Sequence, residues 1–152
     1  MSASTYSDEL ERALARPDAD RMRQQLLAYA EYDATGAGDW PDDLADDFSE
    51  IVTCHFDDPE KALAYVIIAA SQSDDASFLA LLACGNLEDV LRKPTPELLE
   101  RIVAEARKSP RFRWLLSHPF KIAVADQVWE VIAPFRVTGP HEEPSYDTLP
   151  AR

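Results

Sequence analysis

The sequence predicts an all-α fold: a single compact domain of seven or eight helices, several of them short, around one central apolar helix. Alanine and leucine are abundant, and only four of the 152 residues are glycine, which favours helix over sheet. Apolar residues recur at helical spacing in several segments. A capping residue followed by proline, a typical helix start, occurs at Asp58-Pro59, Thr95-Pro96 and Ser109-Pro110.

Three helices are predicted in the N-terminal third. Ser7 can cap a short first helix. A second helix over about residues 18–34 ends at the glycines of "ATGAGDW", the clearest turn in the chain. Asp39 or Trp40 then caps a third helix that has Pro41 in its first turn.

The fourth helix is the predicted centre of the domain. Asp58 caps it and Pro59 takes its first position. The stretch "ALAYVIIAA" at 62–70 is apolar on every side of a helix, as expected for a helix in the middle of a bundle. A buried strand is the alternative, but the alanines and the capped start favour helix.

The next helix begins at a cap on Ser73 or Asp74 and is interrupted in "LLACGNLEDVL", residues 81–91. A glycine just past a helix end commonly adopts the left-handed conformation. We therefore expect Gly85 to be left-handed and to end this helix. Asn86 is then expected to cap a new short helix.

Three further helices follow in the prediction. Thr95 and Ser109 cap the first two, and the last runs over about 119–133, where "FKIAVA" also alternates weakly and leaves a strand as an alternative. Residues 1–135 are therefore assigned to the helical domain. Residues 136–152 are rich in proline and polar side chains and are predicted to be a mobile tail.

Net charge is −13 and is unevenly distributed. Residues 1–60 contain sixteen acids and four bases, whereas 61–119 contain seven acids and eight bases. Such a field repels nucleic-acid phosphates and anionic membrane surfaces and attracts basic proteins. The charge pattern therefore predicts a protein partner, and it argues against binding to nucleic acid or membrane.

The sequence predicts a cytoplasmic protein. The N-terminus is polar and acidic, without the basic and apolar stretches of an export signal. The longest apolar run has nine residues, well below the roughly 20 that cross a bilayer. Cys54 and Cys84 do not make a disulfide framework, which fits free thiols in a reducing compartment.

Two adjacent acids are the most distinctive candidate site. Glu88 and Asp89 fall in the first turn of the helix expected after Asn86. Carboxylates there interact favourably with the exposed amides of a helix start, by about 0.3–1 kcal/mol each. The two acids therefore have two interpretations: support of a helix start, or contact with a partner or ligand.

A basic segment is the second candidate. Arg111 and Arg113 open a helix, where cations are disfavoured. They are expected either to pair with the acidic third helix or with Glu88 and Asp89, or to bind an anion or a partner. Trp114 is by default a core residue, but it lies on the opposite side of this helix from Phe112 and Leu115 and, if exposed, is a candidate hot spot for binding.

Signals for catalysis or metal binding are weak. "CHFDD" places Cys54, His55, Asp57 and Asp58 together, but without the paired spacing typical of zinc sites. His118 precedes a proline and is interpreted as a helix stop. No phosphate loop, nucleophile elbow or dinucleotide motif occurs. We therefore predict no catalytic residue, no metal site and no cofactor.

The interrupted stretch resembles the A-A-G-P-L-E-D-L-L signature of an uncharacterised bacterial family of small helical proteins. Matching positions are Ala83, Gly85, Leu87, Glu88, Asp89 and Leu91. Asn86 stands where proline is usual and Val90 where leucine is usual. The resemblance extends over about residues 40–132, including "DDPEKA", "RIVAEARKSPRFRWLL" and "DQVWEVI". It implies a fold unit and no known activity.

Two functions are compatible with these patterns. The first is a non-catalytic interaction module with an acidic face, for example a neutralising protein of the immunity type that binds a basic toxin. That face comprises Asp42, Asp43, Asp46 and Asp47. The alternative is a small-molecule or anion-binding protein, or an enzyme. Its site would comprise Glu88, Asp89, Arg111 and Arg113.

Overall fold

Nine α-helical segments dominate residues 8–152, the part of the chain that the structure, a computed structural model, describes. They are α1 (Asp8–Leu14), α2 (Ala19–Thr35), α3 (Ala45–Thr53), α4 (Pro59–Gln72), α5 (Ala76–Leu82), α6 (Glu88–Arg92), α7 (Pro96–Lys108), α8 (Pro110–Leu116) and α9 (Asp126–Ile132). No residue from 8 to 152 lies in a strand, so the all-α prediction is confirmed. Ser7, the expected cap of α1, lies outside the described residues.

The central position of α4 is confirmed. Every residue from Ala62 to Ala69 is buried, and α1, α2, α3, α5 and α6 pack around this helix. The cap is as predicted: the Asp58 carboxylate accepts a hydrogen bond from the Lys61 backbone N–H at 3.0 Å. No described helix combines the length and apolar character that crossing a bilayer requires.

The other predicted caps are correct or displaced by one or two residues. Thr95 and Ser109 accept hydrogen bonds from the third residue of α7 and of α8, as expected. The cap of α5 is Asp75, which accepts from the Phe78 N–H at 3.1 Å. Ser73 is not the cap because its hydroxyl accepts from the Asp75 N–H instead.

The third helix begins later than predicted. Gly36 ends α2 in the left-handed conformation as expected, with φ of 71°. Residues 36–44 then form a loop, and α3 begins only at Ala45. Trp40 does not cap this helix because its ring packs edge-on against Tyr29 and Phe48, with centroids 6.4 and 5.7 Å away.

The predicted helix over 119–133 is only partly correct. A 3-10 turn occupies Lys121–Ala123, and α9 starts at Asp126. Val124, between them, has an extended backbone that turns its side chain into the core, while Ile122 stays 88% exposed. The weak alternation of this stretch reflects this arrangement and not a strand.

The C-terminal segment, residues 136–152, lies along α8 and ends near the start of α5. Thr148 accepts a hydrogen bond from the Trp114 indole at 3.1 Å, and the Pro150 carbonyl accepts from Arg111 at 2.8 Å. The Pro140 carbonyl accepts from the Lys121 N–H. The mobility expected of this segment stays a prediction.

Candidate functional site

Gly85 does not end a helix. Gly36 has the single positive φ among the described glycines, so the left-handed conformation expected at Gly85 is wrong. The chain continues from α5 to α6 through a π turn, Ala83–Leu87. Asn86 does not cap α6, because its buried side-chain amide donates to the Ile51 carbonyl at 3.1 Å.

Glu88 and Asp89 lie in the first turn of α6 as predicted, and both have partners within the protein. Arg92 contacts Glu88 at 3.3 Å and Asp89 at 3.4 Å. The second oxygen of Asp89 lies 3.3 Å from Nδ1 of His55, in the 3-10 turn that follows α3. Glu88 is therefore paired within α6, and Asp89 joins α6 to the turn after α3.

Arg111 is buried and saturated with hydrogen bonds. Its guanidinium donates to Asp74 at 2.8 Å and to the carbonyls of Ala70, Ser73 and Pro150 at 2.7–2.9 Å. The carbonyls at the C-terminal end of α4 carry partial negative charge, which offsets the cost of a cation at the start of α8. The expected pairing with the third helix or with the α6 acids is wrong.

Arg113 has a similar type of partner. Its guanidinium donates to the carbonyl of Ala106, in α7, at 2.7 Å. Within residues 8–152, no hydrogen bond or ion pair joins either of these arginines to Glu88 or Asp89. The structure therefore does not bring the four residues of the anion-site hypothesis together.

Trp114 is not exposed. Only 1% of its surface is accessible, because the C-terminal segment covers the side of α8 that faces away from Phe112. The indole also packs edge-on against the ring of His118, with centroids 4.3 Å apart. Trp114 is a core residue, as expected by default; the condition of exposure is not met, so its assignment to a binding surface is wrong.

Thirteen of the sixteen acids in residues 1–60 fall into two populations. The first has cationic partners within the chain. These pairs are Asp8 with Lys108, Glu9 with Arg101, Asp18 with Arg16 and Lys61, Asp47 with Arg21, Glu50 with Arg21 and Lys61, Asp58 with Arg16, and Glu60 with Arg101. Burial alone would lower the pKa of Lys61, but hydrogen bonds to Glu50 and Asp18 raise it.

The second population surrounds the loop between α2 and α3. We call it the acidic loop surface; it comprises Glu31, Asp33, Asp39, Asp42, Asp43 and Asp46. None of the six has an ion pair within residues 8–152, whereas neighbouring Asp47 contacts Arg21 and Gln25. The loop itself is held by Gly36, by the packed ring of Trp40 and by a hydrogen bond from Tyr32 to the Ala37 carbonyl.

A third cluster was missed by the sequence analysis. Cys84 lies in the π turn, His118 lies just after α8, and Glu143 lies in the C-terminal segment. One oxygen of Glu143 accepts a hydrogen bond from the Cys84 thiol at 3.3 Å and lies 2.6 Å from Nδ1 of His118. In the sequence, His118 precedes a proline and Glu143 lies in a polar tail. Their spacing from Cys84 matches no pattern that predicts a shared site.

The protonation of this cluster follows from burial and hydrogen bonding. Burial lowers the pKa of His118, which keeps the imidazole neutral at pH 7. The hydrogen bond from His118 lowers the pKa of Glu143, which is therefore a carboxylate. Shielding from water and the contact with Glu143 raise the pKa of Cys84 to about 12, so its thiol is protonated.

The cluster is not a nucleophilic triad. A catalytic cysteine requires a base or a nearby cation that lowers its pKa. Cys84 instead contacts a carboxylate, which stabilises the thiol form. The "CHFDD" residues do not converge either: the Cys54 thiol faces the Ile51 carbonyl and His55 faces Asp89. Among the described residues, the group with converging metal-type ligands is Cys84, His118 and Glu143.

Fold and clusters together define a small all-α domain in which many charged side chains have partners within the chain. The chain belongs to a family of unknown function, DUF6869, whose family model matches residues 40–139. No curated protein and no solved structure matches it. The expected resemblance to an uncharacterised family is thereby confirmed, whereas the signature itself and a bacterial origin stay predictions.

Proposed function

We propose that this protein is a non-catalytic interaction module whose acidic loop surface binds a basic protein. The observation that carries this proposal is the unequal pairing of acids. Seven acids of residues 8–60 have cationic partners, whereas the six of the acidic loop surface, which follow one another along the chain, have none within residues 8–152. Carboxylates without a partner in the fold remain available to arginine and lysine side chains of another protein.

Electrostatics favours this use of the surface. Six like charges in a stretch of sixteen residues, 31–46, repel one another, and a basic partner relieves that repulsion. The same field attracts a cationic partner before contact, over a Debye length of about 8–10 Å at physiological salt. We therefore expect association to slow and weaken as salt is raised.

The aromatic side chains beneath the loop support the proposal. Trp40 is partly buried and fixed between Tyr29 and Phe48, and the Tyr32 hydroxyl holds the Ala37 carbonyl. A rigid loop loses little conformational entropy on binding. The accessible part of Trp40 supplies an apolar contact of the kind that dominates many interfaces.

The kind of partner and compartment belong to the same proposal. Each of the two cysteines is a free thiol, as expected in a reducing cytoplasm. A neutralising protein of the immunity type, bound to a basic toxin, is one concrete form, because a toxin with cationic functional residues would be blocked by such a surface. Nucleic acid is not a proposed partner, because its phosphates are repelled.

The test compares two variants of equal net charge. The loop variant carries Asp39→Asn, Asp42→Asn, Asp43→Asn and Asp46→Asn. The control variant carries Asp20→Asn, Asp57→Asn, Glu100→Gln and Glu130→Gln, which are exposed acids on other elements. Each immobilised protein is incubated with an extract of the source cells at low and high salt, and the retained proteins are identified by mass spectrometry.

We expect the wild type and the control variant to retain a basic protein that the loop variant does not retain. Its retention should also fall as salt is raised. The proposal is overturned if every specifically retained protein binds both variants equally, or if the protein lost from the loop variant is acidic.

A further inference from the structure

We propose that Cys84, His118 and Glu143 form a site for a divalent transition metal ion, with Zn²⁺ the best fit. The three residues come from three separate elements: the π turn, the end of α8 and the C-terminal segment. Their ligand atoms all lie within 4.8 Å of one another. The π turn is itself a conformation found often at functional sites.

The ligand types select the class of ion. A thiolate, an imidazole and a carboxylate are the three side-chain ligands that Zn²⁺ takes in proteins. Calcium and magnesium prefer oxygen ligands alone, so the sulfur and nitrogen atoms disfavour them. Three protein ligands would leave one position of a tetrahedral ion for water or for a group from a partner.

The distances are close to those of a metal complex. With bonds of about 2.0–2.3 Å, the ligand atoms of a tetrahedral zinc ion lie about 3.3–3.7 Å apart. The Cys84 sulfur and the Glu143 oxygen are already 3.3 Å apart. The 2.6 Å between Glu143 and His118 must open by about 1 Å to reach this range. Glu143 can make this shift because its side chain is 42% exposed and lies outside any regular helix.

The proton balance of binding is simple. Zn²⁺ displaces the thiol proton of Cys84, which leaves to solvent. His118 binds through Nδ1, so the proton that Nδ1 donates to Glu143 leaves and Nε2, a buried atom without a hydrogen-bond partner in the described chain, takes one up; the ring stays neutral. One proton is released for each ion bound, and nothing is oxidised or reduced. Thiolate and carboxylate together neutralise the charge of the ion.

The surroundings also favour a cation. Glu88, in the next turn of the chain, adds negative charge that acts on Cys84. His118 is 1% exposed and is held in place by its packing against Trp114, so one ligand is already fixed. A bound ion would fasten the C-terminal segment to the π turn, over the face of α8 that contains Trp114.

The test uses the full chain, first stripped of metal with a chelator in a reductant that does not bind metal. Co²⁺ is titrated as a spectroscopic probe, because a thiolate ligand produces a characteristic charge-transfer absorption, and Zn²⁺ is then added to displace it. Variants are Cys84→Ser and Glu143→Gln. Matched controls are Cys54→Ser, at the other free cysteine, and Glu142→Gln, at the adjacent acid.

We expect the wild type and both controls to bind one Co²⁺ with the thiolate absorption and to yield it to Zn²⁺. Removing a residue that hydrogen-bonds to a metal ligand weakens metal binding by about 10–100-fold. Glu143→Gln removes a ligand itself, so its affinity for Co²⁺ should fall by at least about tenfold. Cys84→Ser should abolish the absorption. Circular dichroism without metal checks that every variant is folded, and Zn²⁺ should raise the melting temperature of the wild type but not of Cys84→Ser.

Three results would overturn the proposal. The first is a folded wild type that shows no thiolate absorption with Co²⁺. The second is an absorption that survives in Cys84→Ser. The third is equal affinity of Glu143→Gln and Glu142→Gln. Any of these would leave the cluster as a hydrogen-bonded contact between the C-terminal segment and the π turn.

Discussion

Two glycines with the same local sequence signal have opposite roles in this fold. Each lies just past a predicted helix and precedes two adjacent acids, Asp42-Asp43 after Gly36 and Glu88-Asp89 after Gly85. Gly36 has a φ of 71° and ends α2, with its N–H donating to the Asp33 carbonyl. Gly85 lies inside the π turn between α5 and α6, where the helical path continues.

The neighbours of each glycine explain the difference. Gly36 and the three residues after it are exposed, so no packing opposes a chain reversal. Around Gly85, by contrast, Ala83, Asn86 and Leu87 are buried, and the Asn86 amide is bonded to the end of α3. Glycine permits the left-handed conformation, but the contacts of its neighbours decide whether it is used. Four substitutions test this explanation.

Leu87→Ala should have the largest effect. Leu87 is fully buried at the end of the π turn, and the substitution leaves a cavity in the core. We expect the free energy of unfolding to fall by about 2–5 kcal/mol. Urea unfolding followed by circular dichroism measures it. Leu81→Ala, at a leucine that is 40% exposed on α5, is the control and should cost much less. Equal losses would show that the π turn is not anchored by Leu87.

Asn86→Leu should have the next largest effect. The substitution keeps the approximate size of the side chain and removes the amide that donates to the buried Ile51 carbonyl. The Ile51 carbonyl keeps the weak contact with the Cys54 thiol at 3.6 Å, so we expect a loss at the lower end of the about 1–3 kcal/mol that an unsatisfied buried polar group costs, in the same unfolding assay. Unchanged stability would mean that this hydrogen bond does not hold the π turn against α3.

Gly36→Ala should destabilise the protein by about 1–2 kcal/mol, because the left-handed conformation is strained for a residue with a Cβ atom. No atom lies within 4 Å of the added methyl group, so steric clashes do not contribute. The loss is therefore a direct measure of backbone strain. A melting temperature equal to that of the wild type would argue against the left-handed cap of α2.

Gly85→Ala should have the smallest effect and the opposite sign. Gly85 has no positive φ, and nothing lies within 4 Å of the added methyl group. Alanine is favoured over glycine in a helix by up to about 1 kcal/mol, so the melting temperature should stay the same or rise. If Gly85→Ala lost as much stability as Gly36→Ala, Gly85 would have the left-handed conformation that the sequence predicts.

The sequence by itself determined the helix class, the central helix and the starts of α4, α7 and α8. The caps at Asp58, Thr95 and Ser109 and the left-handed stop at Gly36 could all be predicted. Each depends on a hydrogen bond between residues three apart in the chain, so the necessary information is local. The apolar run of α4 is equally direct, because a helix without a polar face must be buried.

The candidate sites could be predicted only as residue types. The sequence shows the acids of the acidic loop surface, but it does not show that they lack partners. Most ion pairs of the other acids join residues that are far apart in the chain, so they cannot be predicted from the sequence. Arg101 reaches Glu9 across 92 positions, for example. The burial of Trp114 and the saturation of Arg111 likewise depend on a C-terminal segment that has no apolar periodicity.

Only the tertiary structure decided which conformation the chain adopts at Gly85 and which residues meet beside it. Glu143 lies 25 positions from His118 and 59 from Cys84, and no local pattern predicts that the three converge. The physical reason is the range of the contacts: a cap is formed within one helical turn, whereas these contacts exist only after α8, the π turn and the C-terminal segment have packed together.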